Sequence, residues 1–502
     1  MRALTVATRA SSWGEMFASL HQEGHPGLWY VILRCAYAVT HSNLILPIIA
    51  LAVGTALAYL ILRRAPFPYW LRLLTVFGVF ISYEFTVMAR NYGIGILFLL
   101  IACVLFRHRS ERGLALGFVL ALMANTSVHA ALACAMISLL WALDALDAER
   151  RSSFLRVKPL LGLAIALSGT ALAIWSASPS PDMSYAGQLH NLGIGDIARS
   201  VFIDPSRGLK GVYVADIAAS AEIPWSRLGL DETIVSRVIV DIGLLAIAWG
   251  LWPSRKHFAV FVLSILSFEV LFHGVYPAAI RHMGVVTFLI LAICWIAVRD
   301  RNESGGLFTR RVAMGLLPVM LIQSIGLPIA ARRHIMHPAS SSKALGGFIR
   351  ATPRLSNAIL IGEPDYLMEA LPYYVPNRIY MPRQHEYSRT VYFARGGRHQ
   401  VDLTLGGVID IADSIGCATR SPVLFAIAYP EFPRQPAGMI RGAYNAANFA
   451  WTADDKKRLS SRATMLGDFQ GATTNENYEV FELPALDAAA CASRPGAGQL
   501  SR

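Results

Sequence analysis

Long apolar runs broken by short polar turns fill the first two thirds of the chain and stop near residue 331. Ten runs stand out, at approximately 44–62, 73–85, 92–106, 114–125, 129–146, 160–175, 238–252, 258–272, 283–298 and 312–330. The longer ones approach the roughly twenty residues that carry a helix across a hydrocarbon layer. Two weaker elements come first. Ser12-Trp13-Gly14-Glu15 has capping-box spacing, and Trp13, Met16, Phe17 and Leu20 follow at helical intervals, which predicts a short amphipathic helix on a membrane surface. The apolar segment 29–39 is interrupted by Arg34 and is short for a span. Beyond 331 the pattern becomes that of a soluble chain, with strands read at 358–362, 378–381, 390–393, 422–428 and 478–483 and helices at 364–371 and 401–415. The fold class is therefore a mainly α, polytopic transmembrane bundle of about ten helices over 43–331. An interfacial segment (1–42) precedes it and a soluble α/β domain (332–502) follows.

Composition agrees: of 502 residues, 54% are hydrophobic and 16% charged, too apolar for a soluble chain of this length. The net charge of +12 would point to nucleic acid in a soluble protein, but here the basic residues collect in loops, and nucleic acid is discounted as a partner. Of six cysteines, Cys35, Cys103, Cys134 and Cys294 lie in apolar runs, where a cysteine is usually a small hydrophobe. No metal-ligand spacing appears, and no cofactor is identifiable.

The loops orient the spans. If the run at 44–62 enters the cytoplasm, the loops holding Arg63, Arg64 and Arg72; Arg107, Arg109 and Arg112; Arg150, Arg151, Arg156 and Lys158; Arg255 and Lys256; and Arg299, Arg301, Arg310 and Arg311 share the cytoplasmic side. That is about sixteen basic residues against two, Arg90 and Arg281, in the short loops opposite, a strong positive-inside bias. Segment 29–39 is then an interfacial or re-entrant helix on the outer face, with the N-terminus also outside. Residues 1–10 have no signal-peptide core, so the expectation is that a first transmembrane helix lies upstream of Met1. The tail is extracytoplasmic, and its only cysteines, Cys417 and Cys491, lie where disulfides persist. Whether they pair is open at this stage.

This topology gathers three polar turns on the outer face: Tyr83 to Tyr92, Asn125 to His129, and His273 to His282, together with a long loop over 176–237. Each alone resembles an ordinary solvated loop; their convergence argues for a site. Charges inside membrane-grade sequence are expensive unless they face a cavity and work there. Arg90 is the centre of the expected anion site, because a guanidinium is always charged and forks onto phosphate oxygens. Tyr92, Arg281 and His282 are further candidates for phosphate binding, and His25, Glu84 and His129 for lining the site. The competing readings are an Arg90–Glu84 ion pair, a helix-start role for His25 and an interfacial aromatic role for Tyr92.

Glu23-Gly24-His25-Pro26-Gly27-Leu28-Trp29-Tyr30, Ala89-Arg90-Asn91-Tyr92 and Tyr276-Pro277-Ala278-Ala279-Ile280-Arg281-His282, with the outer-face helix and α/β tail, resemble the membrane glycosyltransferases of the GT-C class. The group most similar is that of protein O-mannosyltransferases and aminoarabinose lipid A transferases. The resemblance implies a polyprenyl-phosphate sugar donor, an extracytoplasmic acceptor (protein, lipid or glycan), inversion at the sugar carbon and residence in a bacterial plasma membrane. It leaves a divalent metal open. The family places an acidic pair shortly before its His-Pro stretch, the first acid acting as base; here only Glu15 and Glu23 precede His25, so the catalytic acid is unassigned. The tail carries no Gly-rich phosphate loop and no nucleophile motif, and it is expected to cover a site or bind an acceptor. Rival functions are a lipid-linked-sugar flippase and an O-antigen ligase or polymerase. A flippase favours inverted repeats, which are not evident here.

Overall fold

The computed structural model describes residues 2–178, 195, 198, 232–274, 278–301, 306–391, 399–429, 432, 435–441 and 447–492. The expected loop at 176–237 lies almost wholly outside the described residues. The chain falls into two compact units. One holds Ala10–Ser178 and the described residues up to Arg332; the other holds the residues from Arg333 on together with helix α1 (Arg2–Arg9).

The first unit is helical: α2 (Trp13–Glu23), α3 (Leu28–Thr40), α4 (Ile45–Arg64), α5 (Tyr69–Val76), α6 (Tyr92–Phe106), α7 (Gly113–Ala124), α8 (Val128–Ala142), α9 (Arg151–Phe154), α10 (Val157–Ala177), α11 (Glu232–Leu251), α12 (Arg255–Gly274), α13 (Ile280–Asp300) and α14 (Leu307–Met336). Among the described residues five helical stretches are long and apolar enough to cross a membrane: Ile45–Arg64, Val128–Leu146, Val157–Ala177, Ile280–Asp300 and Leu307–Met336. Helix α13 is the axis of the unit, every residue from His282 to Val298 being buried. On α4, α10 and α11 exposed Leu51, Tyr59, Leu167, Leu172, Leu245 and Trp249 present apolar outer faces, as expected where hydrocarbon replaces water. Helices α7 and α10 touch backbone to backbone: a Cβ on Gly117 would lie 2.0 Å from the Gly162 carbonyl oxygen, the close approach that small residues permit between membrane helices.

The expected span at 73–85 is broken. Helix α5 stops at Val76, and a π-helical turn occupies Phe80–Glu84. At α2 the capping differs in detail from the expected box. Ser12 Oγ accepts from the Glu15 N–H, but the Glu15 carboxylate turns to the amide and hydroxyl of Ser11.

The second unit contains a six-stranded sheet in the order β3-β2-β1-β5-β9-β8 and a three-stranded sheet in the order β4-β7-β6. The strands are β1 (Ile359–Glu363), β2 (Ile379–Met381), β3 (Glu386–Tyr387), β4 (Asp402–Thr404), β5 (Val423–Ile427), β6 (Gly438–Arg441), β7 (Asn448–Trp451), β8 (Thr464–Phe469) and β9 (Tyr478–Leu483). Strands β1, β2 and β5 run parallel, and β9 closes antiparallel on β5. All residues of β1 and β5 are buried because both sheet faces are covered, as parallel sheets require. Val408, Ile409, Ala412 and Ile415 of α16 (Leu405–Thr419) fill one core. Leu345 and Ile349 of α15 (Ser342–Ala351), with Met368 and Leu371 of the 3-10 helix Asp365–Tyr373, fill the other.

Three expectations change. The helix read from 401 begins at Leu405, since β4 occupies Asp402–Thr404; Thr390 and Val391 are not in a strand, and 392–393 lie outside the described residues. Helix α1 belongs with the tail unit, where Thr5 Oγ1 lies 2.6 Å from the Tyr373 hydroxyl and Arg2 pairs with Glu369. Strands β6 and β8 and helix α17 (Ala453–Arg462) go unread in the sequence because their apolar positions are few. Cys417 of α16 and Cys491 of α18 (Ala488–Ala492) are disulfide-bonded.

Candidate functional site

The Tyr83–Tyr92 stretch leaves regular helix twice. In the π-turn the Phe85 N–H reaches back five residues to the Phe80 carbonyl, a geometry frequent at functional positions. Ala89 then adopts φ +48°, a left-handed conformation that costs an L-residue energy. The strained step turns the chain into α6, so that Tyr92 becomes its first residue. Asn91 Nδ2 donates to the Thr126 carbonyl at 2.6 Å, tying this turn to the one before α8. There Ser127 caps the helix by accepting from the Ala130 N–H, which fixes His129 in the first turn. Thr126, Ser127 and His129 are all fully buried, so this turn is not the solvated loop its polar sequence allows.

The third turn delivers His282. Its Nδ1 accepts from the Ala279 N–H at 2.9 Å, so the ring proton belongs on Nε2, which lies 3.0 Å from the Tyr92 hydroxyl. The His129 and His282 rings stack with centroids 4.3 Å apart and planes 11° apart. Phe268 and Phe272 of α12 pack against His129. The residues 275–277 of the predicted turn lie outside the described residues.

Charge surrounds these rings. His25 and Arg281 are close enough to act electrostatically on both imidazoles, and Arg90 acts on His282. Arg281 Nε is buried with no hydrogen-bond partner among the described residues. Arg90 itself is exposed, whereas Glu84 is buried in the π-turn, 8% exposed. Of the seven site residues read from the sequence, Tyr92, His129 and His282 thus meet directly, His25, Arg281 and Arg90 lie within electrostatic reach, and Glu84 sits at the start of the turn that leads to them. Guanidinium groups and hydrogen-bond donors within electrostatic reach of one another are the kind of groups that bind anions. Among the described residues no group of three or more His, Cys, Asp or Glu side chains could hold a metal ion.

Beside this cluster opens a cavity of about 630 Å³ between α2, α3, α7 and α10, with Phe17, Leu28, Val31, Leu122 and Trp175 in its wall. Leu28 and Asn125 both line it, the Leu28 N–H donating to the Asn125 carbonyl. The cavity wall therefore continues within a few residues to His25 on one side and His129 on the other. Phe268 and Phe272 escape notice in the sequence because aromatic residues inside an apolar run carry no signal of their own.

The chain matches no protein-family model, no curated protein and no solved structure.

Proposed function

We propose that the protein is a GT-C-like membrane glycosyltransferase that moves a sugar from a polyprenyl-phosphate donor to an extracytoplasmic protein, lipid or glycan acceptor with inversion. The observation that carries the reading is the enclosed cluster of Tyr92, His129 and His282, with Arg281, Arg90 and His25 around it, beside an apolar cavity in a unit rich in membrane-length helices. Such a pairing suits an amphiphile with an anionic head. In the reaction the acceptor oxygen bonds to the sugar carbon as the carbon–oxygen bond to the lipid phosphate breaks. The acceptor proton goes to a base, and negative charge collects on the departing phosphate, where donors stabilise it most. Arg90, Arg281, His282 and Tyr92 take the phosphate; the base is unassigned.

The disulfide in the tail supports placing the tail in an oxidising compartment; residence in a bacterial plasma membrane rests on the resemblance alone. The test is transfer of radiolabelled sugar from a polyprenyl-phosphate donor by the full-length protein in proteoliposomes, with movement of the intact donor across the bilayer measured alongside. Transfer is expected. Movement without a new glycosidic bond would sink the reading in favour of a flippase, and use of a preassembled lipid-linked polymer alone would favour a ligase.

A further inference from the structure

A second buried cluster lies at the opposite ends of the helices that carry the rings. Arg109 is buried. Its Nη2 donates to Asp144 Oδ1 at 3.2 Å and its Nε to Asp144 Oδ2, while its Nη1 donates to Asp300 Oδ1 at 3.1 Å. Lys256 Nζ reaches Asp144 Oδ1 at 2.7 Å, Arg150 Nη1 reaches Asp300 Oδ2 at 2.6 Å, and His257 Nε2 stands 3.4 Å from Asp300 Oδ2.

Four helices contribute to both clusters. Helix α6 begins with Tyr92, and Arg109 follows just past its end; α8 has His129 in its first turn and Asp144 just past its end. Helix α12 has Lys256 and His257 in its first turn and Phe268 and Phe272 near its end; α13 has His282 in its first turn and Asp300 as its last residue. The fifteen residues of α8 alone separate the two clusters by about 22 Å. We propose that Arg109, Asp144 and Asp300 are positioning residues, an ionic clasp that fixes the longitudinal register of α6, α8, α12 and α13 and thereby holds the Tyr92, His129 and His282 rings together at the far end.

The need follows from the packing. Helices α6 and α7 are apolar all round, and α13 is buried almost end to end. Between such helices one leucine substitutes for another after a slip of one turn, and hydrocarbon supplies no hydrophobic force against it. A one-turn slip moves a ring by about 5.4 Å, more than the 4.3 Å that separates the stacked imidazoles. Buried ion pairs are better suited to specifying register than to adding stability. The Arg109 fork, bound to carboxylates from two helices at once, does so directionally.

The geometric content of this proposal is independent of the reaction; its catalytic meaning rests on the transfer reading above. The test uses the full chain with the free cysteines Cys35, Cys103, Cys134 and Cys294 replaced, and with His129→Cys and His282→Cys introduced for joining by a short bifunctional thiol reagent. This pair is expected to cross-link efficiently. Arg109→Lys, which keeps the charge and loses the fork, should lower the yield. The apolar set Arg109→Met, Asp144→Leu and Asp300→Leu should lower it further while melting near the parent temperature. Parental cross-linking in either folded variant would overturn the clasp. Should the apolar set fail to fold, Arg109→Lys decides. With His129 and His282 restored, transfer in the same clasp variants should fall about a hundredfold, the scale of an ångström-size misplacement. Lost cross-linking with full transfer would leave the clasp standing and overturn the transfer reading of the rings.

Discussion

The two units bury carboxylates in opposite ways. In the helical unit Asp144 and Asp300 share three cations, and each accepts from at least two of them. In the tail unit Glu363 and Asp365 lie two residues apart at the carboxyl end of β1, both fully buried, with one cation between them. Glu363 takes that cation, accepting from Arg383 Nη2 and from the Tyr429 hydroxyl. Among the described residues Asp365 has no hydrogen-bond partner of ordinary geometry for either oxygen. Burial, reinforced by the neighbouring Glu363 and Glu369, pushes its carboxyl up to about 7, although Arg383 and the Tyr366 amide favour the charge. One unit solvates its buried acids with counter-ions, and the other keeps one of them protonated. Pairing ties helix ends together; the raised carboxyl of Asp365 makes the tail sensitive to pH.

The sharpest break of this contrast is at Arg383, which is fully buried and also donates to the carbonyls of Gln400, Val401 and Asn448, holding β2, β4 and β7 together. Arg383→Ala would strand Glu363 beside an already uncompensated Asp365. The expected loss is about 3–5 kcal/mol, the scale of breaking a buried pair, read as unfolding of the tail by limited proteolysis while the helical unit stays intact. A tail that resists protease as the parent does would refute the role given to Arg383.

The units also differ in covalent support. Cys417 and Cys491 close a loop across a sequence separation of 74, while Cys103, Cys134 and Cys294 stay free and buried in helices. Reducing the bond, or replacing both residues by Ala, should cost the tail about 2–4 kcal/mol. The melting of the helical unit should not move. A reductant effect on both units, or on neither, would contradict this division.

A smaller and pH-selective effect belongs to Asp365. Its folded pKa is raised above the ordinary 3.8, so the folded tail keeps a proton that the unfolded chain has released. Stability is then greatest below about pH 4 in this respect, falls by about 1.4 kcal/mol per unit as pH rises towards 7, and is flat above. Asp365→Asn removes the dependence. Between pH 5 and pH 8 the variant should gain about 2–3 kcal/mol on the parent, measured as the change in their difference in tail melting. A constant difference across that range would show that Asp365 titrates normally.

These contrasts are unevenly written in the sequence. Strands β1, β5 and β9 are legible because runs such as Val423–Ile427 are apolar throughout and bounded by turn residues. Strand β8 is not, since none of its residues is fully buried, half of them are exposed and its pattern is mixed. At the site, polar residues in membrane-grade sequence announce themselves, so Tyr92, His129 and His282 can be picked out, but their contact is set by three helix starts that no local pattern relates. The clasp is hidden for a different reason. Arg109, Arg150 and Lys256 read as ordinary basic loop residues, and only the packing of helix ends shows that Asp144 and Asp300 face them. Burial of an unpartnered acid such as Asp365 has no sequence signature at all.

The smallest effect on stability is expected at Arg90, the residue from which the site is read. Unlike Arg109 and Arg383 it is exposed, and substitutions at exposed positions usually stay within about 0.5 kcal/mol. Arg90→Ala should therefore leave the melting temperature of the detergent-solubilised chain almost unchanged. Under the proposed function it should still abolish transfer, because a guanidinium that meets the departing phosphate matters only when that charge develops. Arg90→Lys should rescue poorly, a point ammonium lacking the fork. The competing role is that of partner to Glu84, which is buried at the start of the same turn. In that case Arg90→Gln would lower the melting temperature by leaving a poorly solvated carboxylate, and Glu84→Gln added to it would restore the loss. Activity lost at constant melting temperature places Arg90 with the ring cluster. A melting loss repaired by the second substitution places it with the paired ions of the helical unit, and the anion site then centres on Arg281 and His282.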